Sequence, residues 1–241
     1  MNIEEYYKKS GNFLTFSRAQ ASRFAKAEAG DFNPIHNVDA RRFCVPGDLL
    51  FSVVLHTIGL YQSMAFEFDQ LVTDAHELEV VQKEDKFLVQ DRSKKTYLEV
   101  TVAGEKSDSL DVIHRLSRAY IEFSGVTFPY LLVDLLSQNE VMINPSRPLV
   151  MYKSMAFTLD SFAAGEMSLD YTGGTLVAEG KKAKVALPFG IRSGEKQIGH
   201  GSKNMLLGGL RPYDSSLMDT LVEDYNAIKS QFSINSQMSA G

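Results

Sequence analysis

The chain has 241 residues, of which 44% are hydrophobic and 23% are charged, close to the averages of globular proteins. This length corresponds to one large domain or two small ones, and this composition excludes a wholly disordered or fibrous chain. The net charge of −5 argues against nucleic-acid binding, which needs a concentrated basic surface. The single cysteine, Cys44, excludes an intramolecular disulfide and a multi-cysteine metal site. No metal and no cofactor is predicted.

The N-terminal residues do not have the pattern of an export signal, because acidic residues come first and no apolar segment follows. Together with the lone cysteine, this predicts a cytoplasmic protein. The longest uncharged run, residues 49–66, approaches the length of a membrane span, but several polar residues interrupt it. We interpret it as a buried central helix over roughly residues 48–64, and we predict no membrane span.

The first half of the chain is predicted to run from a strand through two helices into antiparallel strands. A short strand is expected at residues 13–16, and Ser17 is expected to cap a helix that ends at Gly30. One further helical turn is predicted at residues 39–43. After the central helix, alternating or β-rich segments predict strands near residues 78–80, 87–89, 97–102 and 113–123.

The second half repeats this order. A shorter helix is predicted to begin at Phe128-Pro129, and Gly173-Gly174 predicts a hairpin between two of the strands. Residues 199–203 are interpreted as a loop, and residues 215–232 as an amphipathic helix. Strands are expected at residues 150–159, 167–171, 175–177 and 183–189. The repetition indicates two copies of one unit, each an antiparallel sheet wrapped around a helix.

The loop from Asp31 to His36, Asp-Phe-Asn-Pro-Ile-His, carries the candidate chemistry. It is stiff, because Pro34 restricts Asn33 to extended geometry, and the Asn33 side chain can anchor the turn. An imidazole can give or take a proton near neutral pH, and a carboxylate beside it can orient it or act as a second acid or base. Downstream, Gly47 opens a helix whose first N–H groups have no partner within the helix and can polarise a carbonyl oxygen. This combination suits chemistry next to a thioester.

Residues 13–55 resemble the MaoC-type hydratases of the hotdog superfamily, the (R)-specific enoyl-CoA hydratases. The resemblance is carried by residues 24–36 and by Pro46-Gly47-Asp48-Leu49-Leu50. It implies that Asp31 and His36 are the catalytic pair and that the Gly47 N–H binds the thioester carbonyl. The implied reaction is the reversible syn addition of water to a trans-2-enoyl thioester, giving the (R)-3-hydroxyacyl thioester. The implied substrate is an acyl-CoA or acyl-carrier-protein thioester of fatty acid metabolism.

The sequence departs from the hydratase pattern at the start of the central helix. Pro46 stands where histidine is common, and Asp48 stands where an apolar residue is usual. The whole chain also resembles a family of uncharacterised gammaproteobacterial proteins known only as a domain of unknown function. That similarity is carried by residues 43–51, 141–145 and 209–214.

We therefore predict an α+β double hotdog: residues 1–124 form the unit with the motif, residues 125–214 form a unit without it, and residues 215–241 form a helix and tail. The second unit is expected to shape an acyl tunnel between the units, and a homodimer is possible. Besides the catalytic Asp31, His36 and Gly47, the residues expected to bind substrate or support the pair are Asn33, Ser52 and His56.

Three functions stay open at this point: a hydratase or dehydratase, an acyl-CoA thioesterase in which Asp31 activates water, and a non-catalytic protein that binds acyl thioesters. Asp48 beside the helix start favours the last of these. Within the pair, either Asp31 or His36 can serve as the base, because coupled groups titrate together. His56 is also interpretable as an ordinary histidine of the core or of an interface, and Cys44 as a buried, inert thiol.

Overall fold

The computed structural model describes residues 1–146, 148–162 and 165–238, with side chains as far as residue 233. The helices in this part of the chain are α1 (Arg18–Arg23), α2 (Gly47–Ile58), α3 (Leu110–Gly125), α4 (Leu132–Gln138) and α5 (Ser215–Met238). The strands are β1 (Lys8–Ser10), β2 (Phe13–Thr15), β3 (Leu60–Phe68), β4 (Leu78–Lys83), β5 (Lys86–Asp91), β6 (Thr96–Ser107), β7 (Val141–Met142), β8 (Leu149–Leu159), β9 (Met167–Tyr171), β10 (Thr175–Glu179), β11 (Lys182–Ser193), β12 (Lys196–Gly208) and β13 (Arg211–Pro212).

Within the described residues, eleven strands form one continuous antiparallel sheet in the order β1-β2-β4-β5-β6-β3-β8-β12-β11-β10, with β9 also paired to β11. The two halves of the chain meet where β3 pairs with β8, in a register that aligns Ser63 with Thr158. Strand β3 follows α2 in the first half, and β8 follows α4 and β7 in the second. These two strands are neighbours in the middle of the sheet. The short strands β7 and β13 pair with each other outside this sheet.

The core lies between this sheet and the helices. Nine of the twelve residues of α2 are buried, which is the pattern of a helix surrounded by protein. Phe51 of α2 packs against Phe66 of β3 and Tyr120 of α3, with ring centroids 5.0 and 4.6 Å apart, and α3 also packs along β9. Helix α3 thus packs against α2 of the first half and against β9 of the second, and the fold is the predicted α+β double hotdog.

Several local predictions are confirmed. Ser17 caps α1, and its partner Gln20 completes a capping box in which each side chain bonds the backbone of the other. The α1 helix continues as a π-helical segment, Phe24–Glu28, and stops before Gly30. Strands β2, β4, β5, β6, β8, β9, β10 and β11 and the helix α5 form where they were expected.

The predicted central helix over residues 48–64 is too long. Helix α2 ends at Ile58, Gly59 follows with φ +87°, and β3 begins at Leu60. That backbone conformation favours glycine and ends the helix, so the uncharged run is divided between a helix and a strand. Among the described residues, no single helix is long and apolar enough to cross a membrane. Helices Leu110–Gly125 and Thr127–Gln138, bent by 48° to each other, reach that length and composition only when taken together.

The strand predicted at residues 113–123 is wrong, because this segment lies within α3. Its β-branched and aromatic residues favour strand locally. However, Ile113, Leu116, Tyr120 and Phe123 recur at helical spacing and are all buried. Burial of this face outweighs the local preference.

The remaining corrections concern turns. The Gly173-Gly174 hairpin is wrong, because β9 and β10 lie end to end along β11 and do not pair with each other. Residues 199–203 are part of β12 and do not form a loop. Residues 39–43 form turns and irregular backbone without a helix. The helix predicted to begin at Phe128-Pro129 begins regularly only at Leu132, after an irregular turn.

Candidate active site

The loop that follows the first helical segment is fixed by its own side chains. Asp31 Oδ1 accepts a hydrogen bond from the Asn33 N–H at 2.8 Å, and Asn33 Oδ1 accepts one from the Ile35 N–H at 3.2 Å. Asn33 thereby caps a 3-10 turn, Pro34–His36. The predicted role of Asn33 as the anchor of this turn is confirmed.

Asp31 and His36 converge as the motif predicts. His36 Nε2 lies 3.5 Å from Asp31 Oδ2, while His36 Nδ1 lies 2.7 Å from the carbonyl oxygen of Cys44. A carbonyl oxygen can only accept a hydrogen bond, so Nδ1 carries a proton and donates it. In the neutral ring, Nε2 is then the basic nitrogen, and it faces the carboxylate.

The pair lies at the border between core and solvent. The His36 side chain is 11% exposed and the Asp31 side chain 35% exposed, so water reaches the carboxylate while the ring is held by protein. Cys44 contributes its carbonyl to this arrangement, and its thiol does not take part. Burial raises the pKa of the Cys44 thiol from 9.0 to about 12, in agreement with an inert cysteine.

Gly47 is the first residue of α2, as expected, but the structure gives the glycine a packing role. The ring of Tyr152 lies directly against its Cα, and any Cβ at this position would overlap that ring. Leu49 and Leu50 donate their N–H groups to the Pro46 carbonyl. The two N–H groups before these, those of Gly47 and Asp48, have no acceptor within the helix and are the candidate donors to a carbonyl oxygen.

A buried polar cluster lies beneath this helix start. Asp48, 7% exposed, accepts a hydrogen bond at Oδ2 from the Ser124 hydroxyl at 2.6 Å. Lys203 of β12, 5% exposed, donates to Ser124 Oγ, and its Nζ lies 3.8 Å from Asp48 Oδ1. Within the described residues, Asp48 Oδ1 accepts no hydrogen bond. The charge of Asp48 is therefore balanced by a lysine from the other half of the chain.

Two tyrosines complete this cluster. Lys203 Nζ lies 4.6 Å from the ring centroid of Tyr152 and 5.8 Å from that of Tyr120, distances at which a cation is attracted to an aromatic face. The two phenol oxygens are hydrogen-bonded to each other. Burial, with the nearby Asp48 carboxylate, raises the pKa of both phenols well above the usual range, so both hydroxyls stay protonated.

In the sequence, Asp48 stands out only as a departure from the hydratase pattern, and Lys203 is predicted to lie in a loop. The partnership between them has no local signal, because Asp48 begins a helix of the first half and Lys203 lies in a strand of the second. The neighbours of Lys203 are Ser202 and Asn204, so no local pattern marks this lysine as buried.

Among the described residues, Ser52 and His56 make contacts within α2 and with α3, and neither is hydrogen-bonded to Asp31 or His36. The Ser52 hydroxyl donates to the Asp48 carbonyl one turn earlier in α2, at 2.9 Å. His56 stacks on His114 of α3, with ring centroids 6.3 Å apart and an interplanar angle of 3°. Burial and the neighbouring His56 lower the pKa of His114. At 1.5 Å per residue, His56 is about 13 Å along the helix axis from Gly47.

Two cavities in the described part of the chain lie elsewhere, and neither is lined by Asp31, His36 or Gly47. One, of about 320 Å³, lies at the far end of α2 beside Tyr61, Phe87 and Lys106. The other, of about 190 Å³, lies over strands β8, β10, β11 and β12.

The chain belongs to the family described as "Protein of unknown function (DUF3581)", which matches residues 1–216. The expected resemblance to a family of unknown function is thereby confirmed over these residues. No curated protein matches the sequence.

Among solved structures, a "MaoC-like dehydratase" is 11% identical with a TM-score of 0.42, over 83% of this chain and 97% of that one. The acyl-CoA thioesterase II TesB2 from Mycobacterium marinum is 13% identical with a TM-score of 0.43, over 89% and 98%. A dehydratase domain of the polyketide PpsC from Mycobacterium tuberculosis is 12% identical with a TM-score of 0.35, over 68% and 85%. These similarities are remote, so the activities of those proteins are not assigned to this chain.

Proposed function

We propose that this chain is a hydratase or dehydratase that adds water to 2-enoyl thioesters or removes it from (R)-3-hydroxyacyl thioesters, with Asp31 and His36 as its acid–base pair. The observation that carries the proposal is the geometry of the pair. His36 Nε2 lies 3.5 Å from Asp31 Oδ2, and the opposite ring nitrogen is held by the Cys44 carbonyl. A general acid–base centre needs such a fixed tautomer beside a second titratable group.

In the hydration direction, the pair binds one water molecule between the imidazole and the carboxylate. The pair takes a proton from this water as the oxygen attacks C3 of the enoyl thioester. A proton is then returned to C2 on the same face, which gives the 3-hydroxyacyl thioester with no net gain or loss of protons. The partial exposure of Asp31 gives water access, and the buried ring keeps its orientation.

Negative charge develops on the thioester oxygen in this reaction, and the N–H groups at the start of α2 are the donors proposed for it. The carboxylate of Asp48 next to them would oppose such a charge if it were unbalanced. The ammonium group of Lys203, 3.8 Å from Asp48 Oδ1, removes this objection. The proposal thus uses Asp31, His36 and Gly47, with Asn33 as support, and needs neither Ser52 nor His56.

The proposed setting is the cytoplasm, and the proposed substrate is a CoA or acyl-carrier-protein thioester. We further propose a division into units at residues 124 and 214, and a homodimer. Limited proteolysis with mass spectrometry tests the division, because cleavage confined to the interior of either unit would contradict it. Sedimentation velocity measures the oligomeric state directly.

A second candidate, a non-catalytic protein that binds acyl thioesters, is favoured by one contact. The Tyr152 ring covers the Cα of Gly47. A substrate therefore has to displace protein in order to reach the α2 start. A protein that binds the thioester at the surface of the loop would not need this movement.

One set of assays separates these functions. Purified protein is incubated with trans-2-enoyl-CoA of several chain lengths, and loss of the enoyl absorbance, free thiol release and the chirality of the product are followed. Hydration to the (R)-3-hydroxyacyl-CoA supports the proposal. Thiol release without hydration identifies a thioesterase, and saturable binding without turnover identifies a binding protein.

The variants for these assays are Asp31→Asn and His36→Gln. Each should lower the hydration rate at least about 10²-fold, the usual scale for loss of a general acid or base. Asp85→Asn, an exposed aspartate in the turn between β4 and β5, is the matched control and should retain full activity. Equal activity of Asp31→Asn and Asp85→Asn would exclude the assigned role of Asp31.

A further inference from the structure

The C-terminal helix α5 lies against the loop that holds the candidate pair. Among its described side chains, Met218 is fully buried and most others are exposed or half-buried. The side chains that contact the rest of the protein recur at helical spacing: Met218, Leu221, Tyr225 and Phe232. The family match ends at residue 216, so almost all of this helix lies outside it.

Tyr225 makes the polar contacts between α5 and the loop. Its hydroxyl donates to the Gly30 carbonyl at 3.0 Å and accepts from the Phe32 N–H at 3.2 Å. These two backbone groups lie on either side of Asp31. The Tyr225 ring also packs edge-on against Phe32 and Phe128, with centroid distances of 6.0 and 5.1 Å. One phenol thus spans the backbone of the candidate catalytic aspartate.

The hydroxyl of Tyr225 can hold both bonds at once only while it is protonated. Burial raises the pKa of Tyr225 to about 12, and the negative charge of Asp31 acts in the same direction. At neutral pH the group is therefore a neutral phenol with one proton to donate and lone pairs to accept.

These contacts leave the Asp31 side chain little freedom. Its own N–H donates to the Ala25 carbonyl at 2.8 Å, and its Oδ1 accepts from the Asn33 N–H. Tyr225 fixes the carbonyl before Asp31 and the N–H after it. With the backbone held on both sides and Oδ1 occupied, Oδ2 is the oxygen directed to His36.

We propose that Tyr225 is a positioning residue for Asp31, through which helix α5 holds the carboxylate in place beside His36. The positioning itself is a statement about structure, and its consequence for the reaction rests on the proposed function. A displacement of a catalytic group by about 1 Å can lower a rate by about 10²-fold.

The test uses the full chain and the variant Tyr225→Phe, which keeps the ring contacts with Phe32 and Phe128 and removes only the hydroxyl. Amide hydrogen exchange and the NMR signals of the His36 ring report on the loop without any need for activity. We expect the Phe32 N–H to exchange about two- to tenfold faster, as for loss of one ordinary hydrogen bond, and the His36 ring signals to shift. Unchanged exchange and unchanged ring signals would overturn the proposal.

Two further variants distinguish the effect of losing the Tyr225 hydroxyl from the effect of altered packing. Tyr213→Phe removes a phenol hydroxyl just before α5 and should leave both readouts as in the wild type. Phe128→Leu removes a ring contact of Tyr225 while its hydroxyl bonds stay in place, so Phe32 exchange should also stay near the wild-type rate. If Phe128→Leu accelerates that exchange as much as Tyr225→Phe does, the contact is merely structural and the positioning role is wrong.

The activity assay tests the proposal independently of the exchange and NMR measurements. If the wild type hydrates enoyl-CoA, Tyr225→Phe should lower kcat about tenfold or more while KM stays within about twofold, since Tyr225 is proposed to act through Asp31 and not on the substrate. An unchanged kcat would contradict the positioning role. If the wild type has no activity, the proposed function fails, and exchange at Phe32 with the His36 signals still decides the role of Tyr225.

Discussion

Replacement of the buried Lys203 by methionine should strongly destabilise the protein. Lys203 and Asp48 are 5% and 7% exposed, and their charged atoms are 3.8 Å apart. At an effective dielectric constant of about 20, two unit charges at this distance attract by roughly 4 kcal/mol. Removing one partner of a buried pair costs about 3–5 kcal/mol, because the other charge is left uncompensated. We expect Lys203→Met to lower the free energy of unfolding by that amount.

Urea denaturation followed by circular dichroism measures this change. The matched control is Lys153→Met on the neighbouring strand β8, where Nζ lies 3.6 and 3.7 Å from two exposed carboxylates. Such surface pairs contribute about 0–1 kcal/mol, so the control should be close to the wild type. A loss below about 1 kcal/mol for Lys203→Met would refute the buried pair.

The pair can also be measured as a pair. In the double variant Asp48→Asn/Lys203→Met, no charge is left without a partner. Its destabilisation should therefore be smaller than the two single effects added together, by about 2 kcal/mol or more. Additive effects would mean that the two charges do not interact.

Three further predictions concern other parts of the fold. Ser17→Ala should cost about 1 kcal/mol, as for loss of an N-cap, and an unchanged urea midpoint would contradict the capping box. Gly47→Ala should cost about 1–3 kcal/mol, because the new methyl group overlaps Tyr152; an effect below about 0.5 kcal/mol would contradict that contact. Burial raises the pKa of the native Cys44 thiol from 9.0 to about 12, so its contribution to stability is present below pH about 9 and is lost as the pH rises toward 12. Between pH 8 and 10, the free energy of unfolding of Cys44→Ala should therefore fall by about 1 kcal/mol less than that of the wild type. Equal decreases would contradict a protonated native thiol.

The features that were predicted correctly have local causes. Ser17 and Gln20 are three residues apart and cap a helix by themselves. Asp31 and His36 belong to one stiff loop, so their approach follows from a few torsion angles that Asn33 and Pro34 restrict. Sequence reasoning succeeds where the partners of an interaction are close along the chain.

The features that were missed depend on distant parts of the chain. The α3 helix has residues that favour strand, and only the burial of its apolar face against α2 and the sheet makes it helical. Asp48 and Lys203 come together because β12 passes beneath the start of α2. The contact of Tyr225 with the backbone around Asp31 needs α5 to return to the first half of the fold. The apolar face of α3 does recur at helical spacing, whereas neither the Asp48–Lys203 pair nor the Tyr225 contact has a spacing that a sequence pattern could reveal.

The most direct test of the account is the rate of hydration of trans-2-enoyl-CoA by the wild type and by Asp31→Asn, both shown to be folded by their urea transitions. The account predicts that the wild type forms the (R)-3-hydroxyacyl-CoA and that kcat/KM falls at least about 10²-fold in Asp31→Asn. A folded wild type that hydrates none of the chain lengths, or an Asp31→Asn variant as active as the wild type, would contradict it.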